Sequence, residues 1–201
     1  MTTIQTAVLN KKRQPVLTTI EVSITKGIGI HVIGLPDNAM KETLLRVVTA
    51  LQSCGYYLPG KKICIYIKPW VEIGCAPELD LAIALGIIVE SGQERINLLF
   101  PFSVAGELGL NGEIRPVFGA RIIAEEMCRH ALYRSIILPE VSAIEALPLV
   151  LSGTELLAVN TLADVVNLIT HDDMRHEYNV ANCKLLQEID YHLENNHYLC
   201  V

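Results

Sequence analysis

The nearly unbroken apolar run from Leu79 to Val89 is the feature that most constrains the fold. A helix of this composition is apolar on every face, so the segment Pro77 to Glu90 predicts a helix buried between a sheet and other helices. The run is too short to span a bilayer. Its one charged residue, Asp80, falls in the first turn, where free backbone amides and the helix dipole favour a carboxylate.

A hairpin and a second helix are predicted directly after this helix, in the stretch FSVAGELGLNGEIRPVFGAR. Val104 to Leu108 reads as a strand, the GLNG segment as a turn whose Asn-Gly pair tolerates positive φ, and Glu113 to Val117 as the return strand. From Gly119 onward apolar residues recur at helical spacing, with charged residues on the other faces.

The amino-terminal part of the chain predicts a hairpin, a helix and a further strand. Thr3 to Leu9 and Pro15 to Ile24 alternate apolar and polar residues on either side of a basic turn. A short strand at His31 to Gly34 then precedes a helix that starts at Pro36 and Asp37 and ends at Gly55. The exposed side of this helix is expected to carry Lys41, Arg46 and Gln52, and Lys62 to Lys68 reads as the next strand.

The second half alternates strands with helices. Ser135 to Leu138 and Glu155 to Val159 read as buried strands, Glu140 to Leu147 as a helix, and Thr161 as the start of another helix. Together with the antiparallel hairpins, this order predicts an α/β (α+β) fold with a mixed sheet and packed helices. We expect one domain over residues 1–170, followed over 171–201 by a polar linker, HDDMRHEYN, and an amphipathic helix from Val180 to Leu193.

Composition limits the possible classes of protein. With 201 residues and 51% hydrophobic content, the chain can bury one well-filled core. Six cysteines without a CxxC pair indicate reduced core residues, and MTTIQTAVLN lacks the pattern of a signal peptide, so a cytoplasmic protein that does not contact membranes is expected. The net charge of −6 is uneven, since residues 1–70 carry nine Lys or Arg and only three Asp or Glu.

The segment GYYLPGKK matches GxxxxGK, but it lacks the Ser or Thr that would hold magnesium. A phosphate loop also joins a strand to a following helix, whereas here a helix precedes and a strand follows. We therefore expect a turn without ATP, and no cofactor or metal is predicted elsewhere. His171, Asp172, Asp173 and His176 are better explained as a polar linker than as metal ligands.

Several segments resemble, in the same order, the amino-terminal domain of the magnesium-chelatase-like ComM/YifB family of AAA+ proteins. They are the GLPD run at Gly34 to Asp37, the Lys41 and Glu42 pair, the aromatic pair before Pro59, and a strand closed by Pro69. The helix, GEL/NGE hairpin and helix that follow also resemble the proteolytic domain of Lon proteases. The resemblance implies a ribosomal protein S5 domain 2-like, or Lon proteolytic-domain-like, fold.

In the Lon pattern a nucleophilic serine opens the apolar helix and a lysine opens the helix after the hairpin. By that register the resemblance places Asp80 and Arg121 at the two positions. An aspartate has no hydroxyl to form an acyl intermediate, and an arginine does not give up its proton, so a catalytic dyad is not expected. We expect either an Asp80–Arg121 ion pair or separate local roles, with Arg121 paired to Glu125 one turn on.

The first functional hypothesis is a non-catalytic accessory or assembly domain that works with an AAA+ ATPase module or subunit. Long members of the family continue into such a module, and they are implicated as ring-forming motors that act on DNA. In this chain neither a Walker lysine nor its acidic partner is expected, and the resemblance implies a partner ATPase and a possible homo-oligomeric ring.

Two alternatives stay open. One is contact with DNA through basic residues near the amino terminus, because lysines at turns can meet phosphates. These residues are Lys11, Lys12, Arg13, Lys26, Lys61 and Lys62. The other is a divergent ATP-dependent protease that uses Ser91, Ser103 or Ser142 with Lys68 or His130, although no spacing predicts contact between these side chains.

Overall fold

The computed structural model describes residues 1–69, 76–96, 101–129, 135–147 and 154–180. The strands are β1 Thr2–Leu9, β2 Pro15–Thr25, β3 Gly29–Ile33, β4 Lys62–Lys68, β5 Phe102–Val104, β6 Glu107–Leu108, β7 Ile114–Arg115, β8 Ser135–Pro139 and β9 Glu155–Val159. The α-helices are α1 Asp37–Ser53, α2 Asp80–Glu90, α3 Ala120–Arg129, α4 Glu140–Ala146, α5 Leu162–Thr170 and α6 Arg175–Tyr178. The helix predicted at Val180 to Leu193 lies almost entirely outside these residues.

The main sheet is mixed, which confirms the predicted α/β class. Its seven strands lie in the order β3-β4-β2-β1-β5-β8-β9. The β1–β2 and β2–β4 pairs are antiparallel, while β1–β5, β5–β8, β8–β9 and β3–β4 are parallel. Strands β6 and β7 form a separate antiparallel hairpin.

Two layers of helices cover opposite faces of this sheet. Successive residues of a strand point to opposite faces, and on β1 Val8 packs in the core with α1, α2 and α5, whereas Ala7 packs with α3 and α4. We call the first face the inner face and the second the outer face. Over β3 and β4 the outer face is open, since Ile33 and Tyr66, which pair across these two strands, are exposed.

The apolar helix lies in the interior, as predicted. Residues Asp80 to Ile88 of α2 are all buried. The helix lies so close to β2 that a Cβ at Gly86 would be 2.5 Å from the Val22 side chain. Its predicted first residues, Pro77–Leu79, form a 3-10 turn rather than α-helix. Within the described residues, no helix is both long enough and apolar enough to cross a membrane.

The strand predicted at Val104 to Leu108 is interrupted, because the backbone at Gly106 bonds to the start of α2 instead of to the sheet. The Gly106 N–H donates to the Glu78 carbonyl at 3.2 Å, and the Leu81 N–H donates to the Gly106 carbonyl at 3.1 Å. A side chain at Gly106 would strike Ile114 at 2.6 Å. The hairpin is therefore anchored to α2 by its own backbone, and β5 ends at Val104.

Residues 171–180 turn back onto the last strand of the sheet. The Asn179 side chain donates to Glu155 of β9 at 2.7 Å, and Arg175 pairs with the same carboxylate. Asn179 also forms a β-bridge to Leu157, and Val180 is buried. This segment, which was predicted as a polar linker, thus covers the β9 edge of the sheet. The domain boundary placed at residue 170 stays a prediction.

Candidate functional site

A buried ion pair between Asp80 and Arg46 forms the centre of the candidate site. The Asp80 side chain is 0% exposed, and its two oxygens accept hydrogen bonds from Nε and Nη2 of Arg46 at 2.6 and 3.1 Å. One of these oxygens also accepts from the Leu108 N–H at 3.3 Å. A single carboxylate therefore joins α1, α2 and the β6–β7 hairpin.

The geometry of this pair follows from the elements that carry it. Asp80 is the first residue of α2, where the positive end of the helix dipole favours a carboxylate. Arg46 lies one residue before the buried Val47 of α1, at the margin of the stripe that packs on the sheet. Its long stem therefore spans to the start of α2 while part of the side chain, 21%, stays exposed.

Glu78 adds a second buried carboxyl group beside the pair. Its side chain lies in the 3-10 turn before α2, and the residue is only 7% exposed. The pKa of Glu78 is raised to about 7, mainly by burial and also by the neighbouring Asp80 and Glu107 carboxylates, while Arg46 opposes the rise. A carboxyl group with this pKa is partly protonated at neutral pH.

Burial and neighbouring charges also shift the pKa values of the ion pair. Burial raises the pKa of Asp80 to about 6, although the hydrogen bond and the charge of Arg46 both favour the ionised carboxylate. The hydrogen bond to Asp80 raises the pKa of Arg46 above its ordinary value. Three carboxyl groups, Glu78, Asp80 and Glu107, therefore share the field of one guanidinium group.

The predicted Asp80–Arg121 ion pair is wrong, because Asp80 is paired with Arg46. Arg121 is exposed in the first turn of α3. The two helices lie on opposite faces of the sheet, so the sheet itself separates the two side chains. The local alternative also fails, since Glu125 pairs with Arg129 at 2.6 Å. The assignment of Asp80 and Arg121 as degenerate dyad positions stays a prediction.

Two of the serines considered for a divergent protease, and the lysine, are bonded to other groups. The Ser91 hydroxyl donates to the Ile88 carbonyl, and the Ser142 hydroxyl accepts from the Val117 N–H. Ser103 is buried in β5 and its hydroxyl has no hydrogen-bond partner in the described structure, whereas Lys68 pairs with Glu21 on the neighbouring strand. His130 lies outside the described residues.

The six basic residues predicted as a nucleic-acid contact fall into two groups at opposite ends of β2. Lys11, Lys12 and Arg13 lie in the turn before it, and Lys26 follows it. Lys61 and Lys62 lie with Lys26, since Thr25 pairs with Lys62. A strand of this length places the groups about 35 Å apart. They do not form one patch.

Sequence reasoning missed an aromatic residue beside the first basic group. Phe118 is 67% exposed, and the Arg13 guanidinium lies 5.4 Å from the centre of its ring. Arg13 itself has a positive φ of 58°. A second missed feature is the role of Arg46, which the helical pattern placed on the exposed side. The only local signal for this role was that Arg46 lies one position from a buried residue.

Comparison with known proteins identifies the family. Residues 20–142 match the family model described as subunit ChlI of Mg-chelatase. This match covers more than half of the chain and includes α1, the ion pair and the β6–β7 hairpin. The chain belongs to the magnesium-chelatase-like ComM/YifB family.

Individual relatives in the family agree with this result. The uncharacterized protein YifB of Escherichia coli is 38% identical over 109 residues, which are 54% of this chain and 22% of that protein. YifB of Salmonella typhimurium is 37% identical over 128 residues, 63% of this chain and 25% of that protein. Competence protein ComM of Haemophilus influenzae is 32% identical over 157 residues, 78% of this chain and 30% of that protein. The chain thus spans about a quarter of the length of these relatives.

Proposed function

We propose that this chain is a non-catalytic accessory or assembly domain that docks on an AAA+ ATPase module or subunit. The observation that carries the proposal is the state of Asp80. By the Lon register it stands where a nucleophile would stand, and its carboxylate is fully buried and bonded to Arg46 and Leu108. A group held in this way ties three elements together and offers nothing to a substrate.

The family supports the partner in this proposal. The chain corresponds to about a quarter of YifB and ComM. In the Lon comparison the rest of such a protein would supply the ATPase, and this chain would supply a scaffold with its hydrolytic groups replaced. The domain would then act as a pseudo-protease, by contact with the motor rather than by cleaving bonds.

The first test separates docking from catalysis. The purified chain is mixed with a magnesium-chelatase-like AAA+ protein of the same genome, with ATP and magnesium, and complex formation is followed by light scattering on a sizing column. We expect a complex, and no ATP or peptide hydrolysis by the chain alone. Hydrolysis that Asp80→Ala abolishes and Glu113→Ala preserves would overturn the proposal, as would the absence of any complex.

Contact with nucleic acid is a second candidate function. The observation that favours it is the exposed ring of Phe118. An exposed aromatic ring with a guanidinium group over it can stack a base while neighbouring lysines meet phosphates. In this form of the hypothesis the Lys11 to Arg13 turn is the contact, and the group of Lys26, Lys61 and Lys62 lies too far away to share it.

Fluorescence anisotropy with a labelled single-stranded oligonucleotide tests this candidate over a salt series. Binding should weaken steeply with salt, fall at least tenfold in Phe118→Ala and Arg13→Glu, and stay unchanged in the matched control Lys26→Glu. Equal losses in Arg13→Glu and Lys26→Glu would point to nonspecific charge. No binding at the lowest salt would remove the hypothesis.

A further inference from the structure

The two outer edges of the main sheet differ in whether other residues cover them. The β9 edge is covered by residues 175–180 and carries the Arg175 and Glu155 ion pair. The β3 edge pairs with β4 on one side, and no strand in the described part of the chain pairs with its other side. An uncovered edge leaves backbone N–H and C=O groups ready to pair with another strand.

The β3 edge also lacks the usual protection against such pairing. The sequence from Gly27 to Leu35, GIGIHVIGL, contains no Lys, Arg, Asp, Glu or Pro. Proteins normally place a charge, a proline or a bulge on a free edge strand. Here Ile28 is 87% exposed and Ile33 60% exposed, and Tyr66 beside Ile33 extends the apolar surface onto the open outer face.

We propose that β3 is a self-association edge, on which a second copy of this chain adds its own β3 in antiparallel orientation about a two-fold axis. A two-fold interface brings the same surface of both copies together, so that surface must complement itself. With the axis at His31, the middle residue of β3, each exposed Ile33 faces the partner copy's Gly29, which has no side chain. The large residue of each strand thus meets the small one.

Charge also favours a second copy in this register. Each copy carries a net charge of −6, so two copies repel at long range, and the uncharged β3 edge adds no like-charge contact to that repulsion. The ends of the edge carry opposite charges, because exposed Lys26 precedes it and exposed Asp37 follows it. Antiparallel pairing brings the lysine end of one strand to the aspartate end of the other. Parallel pairing would place like charges together.

The association should be weak and reversible. A five-residue strand is about 17 Å long, and an interface of this size is typical of transient complexes. It does not depend on the ATPase partner of the proposed function, so the chain alone is sufficient for the test. Sedimentation velocity of the full chain should show a monomer that converts to a dimer as concentration rises through the micromolar range.

Substitutions at two exposed residues locate the interface. Ile33→Lys places a charge on the edge and should weaken dimerisation at least tenfold, while its monomer keeps the native circular dichroism spectrum. Val141→Lys is the matched control, since Val141 is 61% exposed on α4, which packs against β8 and β9 at the other end of the sheet, and should dimerise like the native chain. A chain that stays monomeric up to about 1 mM, or an Ile33→Lys variant that dimerises normally, would overturn the proposal.

A cysteine at the axis tests the register. His31 faces its own copy across the two-fold axis, where antiparallel strands bring Cα atoms to about 5 Å, within reach of a disulfide. Because His31 pairs with Cys64 on β4, the experiment uses Cys64→Ser as the background. Under mild oxidation His31→Cys should give a covalent dimer, and Ile33→Cys, about 13 Å from its own copy, should not. Cross-linking of Ile33→Cys alone would refute this register.

Discussion

Replacing Glu78 by glutamine should stabilise the protein, and the gain should depend on pH. Glu78 is 7% exposed, and burial raises its pKa from the ordinary 4.5 to about 7. The folded protein therefore binds the proton more tightly than the unfolded chain does. The stability contributed by the protonated group is complete below about pH 4.5 and is lost as pH rises through 7.

The size of the effect follows from this rise in pKa. At about 1.4 kcal/mol for each tenfold change in proton affinity, the raised pKa of Glu78 lowers the free energy of unfolding by about 3 kcal/mol at pH 8 and about 1 kcal/mol at pH 5, relative to a group that does not ionise. Glutamine removes the ionisable group but keeps an oxygen that can accept the bond from the backbone N–H of residue 78. For a chain of this size, the melting temperature should rise by about 6 to 12 °C at pH 8 and by about 2 to 4 °C at pH 5.

Thermal unfolding followed by circular dichroism at both pH values measures this difference, with Glu113→Gln as the control. Glu113 is exposed, so its replacement should change the melting temperature little at either pH. A Glu78→Gln variant that gains the same amount at pH 5 and pH 8, or that is destabilised at pH 8, would refute the assignment of a buried, destabilising carboxylate at this position.

Three further substitutions test the structure by urea unfolding. Arg46→Met leaves Asp80 buried without its partner and should cost about 3 to 5 kcal/mol at pH 8, with a smaller loss below pH 6, where Asp80 is protonated; an equal loss at both pH values would contradict this. Gly34→Ala should cost about 3 kcal/mol or more, because φ is 105° and the new Cβ would lie 2.1 Å from the Ile67 carbonyl oxygen, whereas Gly60→Ala meets no atom within 4 Å and should be tolerated. Thr161→Ala removes the capping box with Asp164 at the start of α5 and should cost about 1 kcal/mol; no measurable loss would contradict the role of the cap.

Local patterns were sufficient for most of the elements. The alternation in β1 and β2, the helix that starts at Asp37 and the helix start at Thr161 all depend on residues a few positions apart, and the structure confirms each of them. The GxxxxGK segment also lies between a helix and a strand, as expected for a turn. The order of motifs identified the family for the same reason, since a motif is a local pattern of residues.

The Lon-like and S5-like details of the fold and the functional roles attached to them stay predictions. They rest on a register that assigns Asp80 to the position of the Lon serine and Arg121 to the position of the Lon lysine. The register compares positions along the chain, whereas catalysis depends on distances in space. The pairing of Asp80 with Arg46 shows that positions along the chain can fail to predict which side chains are close in space.

The sequence alone determined that α2 must be buried, because a helix that is apolar on every face has no stable position at a surface. It also determined that Asp80, inside that helix, would need a partner. Only the tertiary structure decided which partner that is. Arg46 is 34 positions away and reaches Asp80 because α1 and α2 pack on the same face of the sheet, while Arg121 is excluded because α3 packs on the other face.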